Sequence, residues 1–298
     1  MRQAIRPILK YRGGKSNELK YYLKYIPSFD KYFEPFFGGG ATFFALHPVK
    51  ARIADINERL IDFYRDAVRE YPKMRRELVQ LQAQYEQNRK VFLARKKAFP
   101  SRRVKDPNED LYYRIRDMFN DELLYEYTYA TVYYFINKTA YSGMIRYNKK
   151  GQFNVPYGRY AHFNASLFTH DQYNALKNVE IANESYEKSF TLATSKDFLF
   201  LDPPYDTTFS DYGNEEFTGD FKEDDQRKLA ENFKNLSAPA LMIISSTPLT
   251  QDLYHSFIKR KYHKNYSVNI RNRFNSKAEH LIVANYDINK VCEGKANE

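Results

Sequence analysis

The chain begins and ends in one hydrophobic rhythm and runs through another in between. Phe198-Leu199-Phe200-Leu201 is an unbroken apolar run, and Ala240-Leu-Met-Ile-Ile-Ser245 is apolar up to its closing serine. That is the pattern of short strands buried on both faces of a parallel sheet. Arg52-Ile53-Ala54-Asp55 and Val179-Glu180-Ile181-Ala182 read the same way, and a further short strand runs into Gly38-Gly39-Gly40. Helical patterns lie between them. One follows Gly13-Gly14, with Ser16 or Asn17 as cap, and continues through about Ile26. One starts directly after the glycine triplet, and one is capped by Asn57 and runs to about Glu70, with Leu60, Ile61 and Tyr64 at helical spacing. Two more cover about 222–235 and Leu249–Arg260. Tyr262–Asn269 and His280–Tyr286 predict a closing antiparallel pair.

From about Tyr71 the alternation of strand and helix stops. Met74, Leu78, Leu81, Tyr85 and Phe92 keep a helical period to about residue 97, and helical patterns near 109–119 and 121–136 follow. Met144–Tyr147 and Gln152–Val155 then flank Asn148-Lys149-Lys150-Gly151, a hairpin signal. The fold class is therefore α/β: a doubly wound, Rossmann-like sheet with an inserted, mainly helical domain that carries a β-hairpin. Residues 1–70 and 176–298 would form the sheet domain and residues 71–175 the insert.

Composition narrows the chemistry. The 298 residues are 43% hydrophobic and carry a net charge of +10, which suits a polyanionic partner. Six basic residues and no acidic one lie between Arg95 and Lys105; such a run is usually a solvated loop, and if it acts it acts on phosphates. The single cysteine, Cys292, sits in a polar tail, which excludes an intrachain disulfide and a cysteine metal cluster and argues against a cysteine nucleophile. The six histidines show no metal-ligand spacing, so no metal site is expected. Without a signal peptide or an apolar run of spanning length, the expected setting is the cytoplasm, with no membrane partner.

The motifs fall at strand ends. Asp202-Pro203-Pro204-Tyr205 closes the Phe198–Leu201 run, because neither proline can donate a ladder hydrogen bond. Taken alone it is equally a turn after a core strand. In an open α/β sheet, however, ligands bind at the carboxyl ends of the strands. Gly38-Gly39-Gly40 lets backbone approach a cofactor, but Phe43 stands where the dinucleotide fingerprint wants its last glycine. Asp55 ends the second strand, where an acid commonly accepts hydrogen bonds from ribose hydroxyls. Lys10 and Lys15 flank Gly13-Gly14, an arrangement suited to an anionic group. Doubly wound topology places the first and fourth strands side by side, so the glycine turn and Asp202–Tyr205 would face one crevice.

Taken together, these stretches resemble the Dam-type DNA adenine methyltransferases. The resemblance rests on Lys10-Tyr-Arg-Gly-Gly-Lys15, Glu34-Pro-Phe-Phe-Gly-Gly-Gly40, Ala54-Asp55-Ile-Asn57, the hairpin segments Arg146-Tyr-Asn and Phe153-Asn-Val-Pro156, Glu184-Ser-Tyr186 and Asp202–Tyr205, in family order. Tyr11 replaces a frequent Trp, and Tyr141-Ser142-Gly143-Met144 replaces the more usual aromatic-Asn-Gly-Leu. The resemblance implies S-adenosyl-L-methionine as cofactor and double-stranded DNA as partner. It implies cofactor contacts from Tyr11, Lys15, Glu34, Gly38, Gly40, Asp55, Tyr186 and Asp202. It implies DNA contacts from Lys10, Tyr141, Met144, Arg146 and Asn148, and a catalytic role for Asp202, Pro203, Pro204 and Tyr205. A cognate restriction endonuclease acting separately is the one candidate protein partner.

The residue types suit the reaction. The lone pair of an exocyclic adenine amine is delocalised into the ring. The Asp202 carboxylate and the Pro203 carbonyl can each accept one of its N–H groups and localise that pair. Tyr205 can stack on a base turned out of the duplex, and such stacking is worth about 1–3 kcal/mol. The alternatives are methylation of the cytosine N4 amine or of an RNA amine, and an inactive DNA-binding relative. A pure DNA-binding module would not need Asp202–Tyr205 beside a glycine turn.

Overall fold

The computed structural model describes residues 5–11, 13–205, 221–264 and 278–296. Seven strands form one sheet in the order β3-β2-β1-β4-β5-β7-β6. They are β1 (Tyr32–Glu34), β2 (Ala51–Asp55), β3 (Glu180–Asn183), β4 (Phe198–Leu201), β5 (Ala240–Ser245), β6 (Ile258–Lys264) and β7 (Ala278–Ala284). The first five pair in parallel; β7 runs antiparallel to both β5 and β6. The strand order reverses between β1 and β4, which lie side by side with Tyr32 opposite Phe198.

Alternation within the central strands explains the apolar runs. Phe198 and Phe200 of β4, with Leu241 and Ile243 of β5, enter the core on one face. Leu199 and Leu201, with Met242 and Ile244, enter the core on the other, against Leu229, Ala230 and Phe233 of α9 (Glu223–Lys234). Both faces of the sheet are covered, so every position of these strands is apolar except Ser245 at the end of β5. Between β2 and the insert lies α3 (Glu58–Arg69), capped as expected by Asn57, whose Oδ1 accepts from the Leu60 amide at 3.1 Å.

The insert is built on α4 (Tyr71–Ala98), α5 (Pro107–Phe119) and α6 (Tyr129–Thr139). Its buried residues, among them Leu111, Tyr133 and Phe135, join the same core as Phe63 and Tyr64 of α3. The Phe63 and Tyr133 rings stack 5.0 Å apart across that junction.

Several sequence expectations need correction. The helix expected over 121–136 starts only at Tyr129. Asp121 takes a left-handed φ of 59° that ends the preceding helix, and Thr128 supplies the new cap by accepting from the Thr131 amide. The Leu249–Arg260 helix ends at Tyr254, because Ile258 onward is drawn into the sheet beside β7. Neither Ser16 nor Asn17 caps the first helix, α1 (Leu19–Tyr22), which follows a tight turn closed by Glu18 N–H to the Lys15 carbonyl at 2.8 Å. The hairpin strands reduce to a single bridge, Tyr147 with Phe153, and a second bridge, Ala140 with Tyr157, lies outside them. The antiparallel path survives through Asn148 N–H to the Gln152 carbonyl and Asn154 N–H to the Arg146 carbonyl. Residues 265–269 of the expected closing pair lie outside the described residues.

Candidate active site

The glycine turn leaves β1 at Glu34. Gly38 and Gly40 hold φ values of 48° and 65°, and a Cβ on Gly40 would fall 2.4 Å from the Phe37 ring. Only glycine fits there. Tyr11 lies against the turn: a Cβ on Gly38 would stand 2.8 Å from its ring. Glu34 is buried, and its Oε2 accepts from the Tyr32 hydroxyl at 2.7 Å and the Phe43 amide at 3.1 Å. It therefore ties the end of β1 to the start of α2 (Ala41–Leu46). Burial pushes its carboxyl well above the usual range, against the hydrogen bond from Tyr32.

Asp55 ends β2 beside this turn. One carboxylate oxygen accepts from the Gly38 amide at 2.9 Å and the other from the Asn57 amide at 3.0 Å. The carboxylate as a whole keeps acceptor capacity beyond these amides. Burial raises its pKa, while the Asn57 and Gly38 amides oppose the rise.

Across the crevice, β4 delivers Asp202 as expected. Lys15 Nζ, almost wholly buried, lies 2.7 Å from each Asp202 carboxylate oxygen and also donates to the Gly13 carbonyl at 2.9 Å. The same ammonium sits 4.9 Å from the centre of the Tyr205 ring. The proline turn is fixed from behind by buried Gln226 of α9, whose Nε2 donates to the Pro204 carbonyl at 2.8 Å. Burial raises the Asp202 pKa, and Lys15 pulls it back down.

A second layer of charge lies under these residues, and no period in the chain marks it. Glu18, 2% exposed, accepts from the Tyr262 hydroxyl at 2.6 Å and from His280 Nδ1–H at 2.8 Å, and pairs with Lys264 at 2.7 Å. A carboxylate only accepts, so the imidazole proton facing it sits on Nδ1. Burial acts to raise the Glu18 pKa, but His280, Lys15, Lys264 and Tyr262 outweigh it and hold the group at about 2. The edge of His280 meets Tyr205 at a ring separation of 5.1 Å. Tyr205 is thus braced by an imidazole and faced by a cation.

Tyr11, Lys15, Gly38, Gly40, Asp55, Asp202 and Tyr205 therefore meet in one crevice. Tyr186 starts α8 (Tyr186–Leu192) nearby and stacks on Phe36 at 5.4 Å, a ring that sequence reasoning did not single out. The hairpin stands on the insert. Lys10 lies at its base, close enough that a Cβ on Gly143 would come within 3.0 Å of its side chain; its ammonium sits 4.4 Å from the Tyr160 ring centre. Tyr141 is 57% exposed. Arg146 Nε donates to Asn154 Oδ1 at 2.8 Å, which aims its terminal nitrogens. Asn148 is committed to the turn: its Oδ1 accepts from the Lys150 and Gln152 amides. Met144 packs partly against the core.

A cavity of about 210 Å³ opens between Lys10, Tyr11, Gly14 and Gly39. A larger one, about 550 Å³, lies away from these residues between α3 and the segment after α5, and holds none of the expected site residues. Among the described residues no cluster of His, Cys, Asp or Glu is arranged to hold a metal, and no helix is long and apolar enough to cross a membrane.

A doubly wound sheet with a glycine turn after β1, an acid after β2 and Asp-Pro-Pro-Tyr after the adjacent β4 defines an amino-methyltransferase of the Rossmann-like class. Comparison with known proteins agrees: the model of the D12 class N6 adenine-specific DNA methyltransferases matches residues 11–270, and the chain belongs to that family. It is 32% identical over 292 residues to the type II methyltransferase M.CviBI of Paramecium bursaria Chlorella virus NC1A, covering 95% of this chain and 100% of that one. It is 30% identical to the type II methyltransferase M1.LlaDCHI of Lactococcus lactis subsp. cremoris, covering 95% and 96% of the two chains. It is 29% identical to the DNA adenine methylase of Salmonella typhi, covering 84% of each. The chain is accordingly an N6-adenine DNA methyltransferase, and use of S-adenosylmethionine is a general property of such enzymes.

The Lys15–Asp202 pair yields a titration prediction. Removing an opposite charge at contact raises a carboxyl pKa by about 1–3 units. In Lys15→Met the Asp202 carboxyl should titrate that much higher than in wild type, read by carbon NMR of labelled aspartate. Because the folded-state pKa then stands further above the unfolded one, the variant's loss of stability at neutral pH should shrink as pH falls through it. An unmoved titration would mean that the ion pair does not govern Asp202.

Proposed function

We propose that this enzyme methylates adenine at a specific site in duplex DNA, with S-adenosyl-L-methionine as donor and the target base turned out of the helix into the β1–β4 crevice. The observation that carries the reading is the convergence of Lys15, Asp202 and Tyr205 on the glycine turn. The residues fit the cofactor. The turn offers close backbone approach, Asp55 keeps acceptor sites for ribose hydroxyls, and the Phe36–Tyr186 stack offers an aromatic wall for a purine. Tyr11 and Lys15 border the same space, and Glu34 acts by holding the turn in shape. When bound, the cofactor supplies an activated methyl group on a sulfonium.

The chain's own residues do the rest. Asp202 and the Pro203 carbonyl accept the two N–H groups of the amine and localise its lone pair; alignment and preorganised dipoles lower the barrier further. Gln226 fixes Pro204 so that the turn cannot drift. Lys15 favours the ionised form of Asp202, which is the stronger acceptor and carries no proton of its own to donate. Tyr205, held by His280, presents its ring to the base. Activity should therefore fall on the acid side as Asp202 takes up a proton.

Residues 71–175 act as the target-recognition domain on a catalytic domain of residues 1–70 and 176–298. Tyr141 is the wedge that occupies the gap left by the base, supported by Met144. Arg146 reads a guanine edge with its two terminal nitrogens, Lys10 touches a neighbouring base, and Asn148 contributes through the turn it closes. The setting is the cytoplasm of a bacterial or phage-infected cell.

Asp202→Ala should lower methyl transfer from radiolabelled cofactor to duplex DNA by more than tenfold. One hydrogen bond from the amine to a charged acceptor, worth about 1.5–3 kcal/mol, is lost. The fold should survive, since Phe198–Leu201 is untouched. Activity within a few-fold of wild type would reject this chemistry. Arg146→Ala should relax preference at one base pair by about 1–3 kcal/mol in a selection over randomised duplexes. Identical site logos for variant and wild type would remove Arg146 from base reading.

A further inference from the structure

The helix α4 is longer than its packing requires. At 28 residues it spans about 42 Å. Its buried side chains are Met74, Glu77, Leu78, Leu81 and Tyr85. Beyond Tyr85 the helix continues for about 20 Å to Ala98 with no buried side chain, and Leu93 and Phe99 are about half exposed. An unpacked helix of this length is marginal in water, so core burial does not account for it.

Its charge is one-sided. Residues 87–105 hold eight basic residues and no acidic one, in a chain whose whole net charge is +10. Arg89 and Lys96, and Lys90 and Lys97, each recur after about two helical turns. Among the described residues Lys105 pairs with Asp110, while Arg95, Lys96, Lys97, Arg102 and Arg103 form no ion pair. Cations in the last turn favour a helix C-terminus, which accounts for Arg95, Lys96 and Lys97 but not for Arg89, Lys90, Arg102 or Arg103. A helix kept in solution by charge alone usually mixes signs.

The root of the projection lies beside the proposed DNA face. The Tyr85 hydroxyl donates to the Tyr160 carbonyl at 2.7 Å, and the Tyr160 ring lies under the Lys10 ammonium.

We propose that residues 87–105 form a cationic arm that grips the sugar–phosphate backbone of duplex DNA flanking the methylated site. This rests on the reading of the crevice as a DNA methylation site. The arm reads no sequence; it adds affinity and a longer footprint through released counterions.

The test uses the full chain, the triple variant R95Q/K96Q/K97Q, which keeps good helix formers, and the loop variant R102Q/R103Q. Binding is measured across salt concentrations on duplexes of about 14 and 40 base pairs that carry the site wild type methylates. Wild type should bind the long duplex about tenfold or more tighter than the short one. The triple variant should lose most of that gain, and its slope of log affinity against log salt on the long duplex should flatten by about 2–3, near 0.9 per lost phosphate contact. The loop variant should flatten by about 1–2. If both variants keep the wild-type length gain and slope, as they would were the arm a site for an acidic protein, the proposal is overturned. A wild type that methylates no duplex at all overturns the assignment of the crevice instead.

Discussion

Everything in the crevice depends on β1 and β4 lying side by side in parallel. A parallel pair ends on the same edge of the sheet. The turn leaving β1 and the turn leaving β4 therefore have to share one space, whatever their sequences. Glycine fills the first turn because Phe37 and Tyr11 leave no room for a Cβ. Proline fills the second because the ladder must stop as soon as Asp202 has been delivered. Lys15, from the segment before α1, then joins the two sides through its bond to Asp202.

A recessed carboxylate is costly unless its charge is matched. Here the match is built in layers. Lys15 faces Asp202, Glu18 lies beneath Lys15, and Lys264, Tyr262 and His280 complete the set around Glu18. Strands β6 and β7, which look like a closing pair at the sheet edge, supply Tyr262, Lys264 and His280 and so support the site electrostatically. The same layer holds Tyr205 in place through the His280 ring. Structural and chemical demands on these residues coincide, which makes the crevice preorganised rather than assembled on binding.

Much of this was legible in the sequence because it is local. Phe198–Leu201 and Ala240–Ser245 announce doubly buried strands by composition alone, and Asn57 announces a helix start by its position before Leu60. Gly38–Gly40 and Asp202–Tyr205 are contiguous motifs, and the doubly wound rule brings them together. What was not legible is non-local or competitive. Glu18 and His280 stand 262 positions apart, with no period linking them. The late start of α6 turns on the left-handed Asp121 and the Thr128 cap, which outweigh an apolar pattern that continues across both. The helix after Pro248 stops at Tyr254 because sheet pairing with β7 captures Ile258, a tertiary gain that local propensity does not contain.

All of this geometry serves one proposed outcome, methylation of the N6 amine of adenine at a defined DNA site. The most direct measurement is sequencing, with modified bases distinguished, of DNA from a methylation-free host that expresses this chain. N6-methyladenine is expected at nearly every copy of one short motif and at background elsewhere. N4-methylcytosine in place of N6-methyladenine, or methyladenine scattered without a motif, would contradict it.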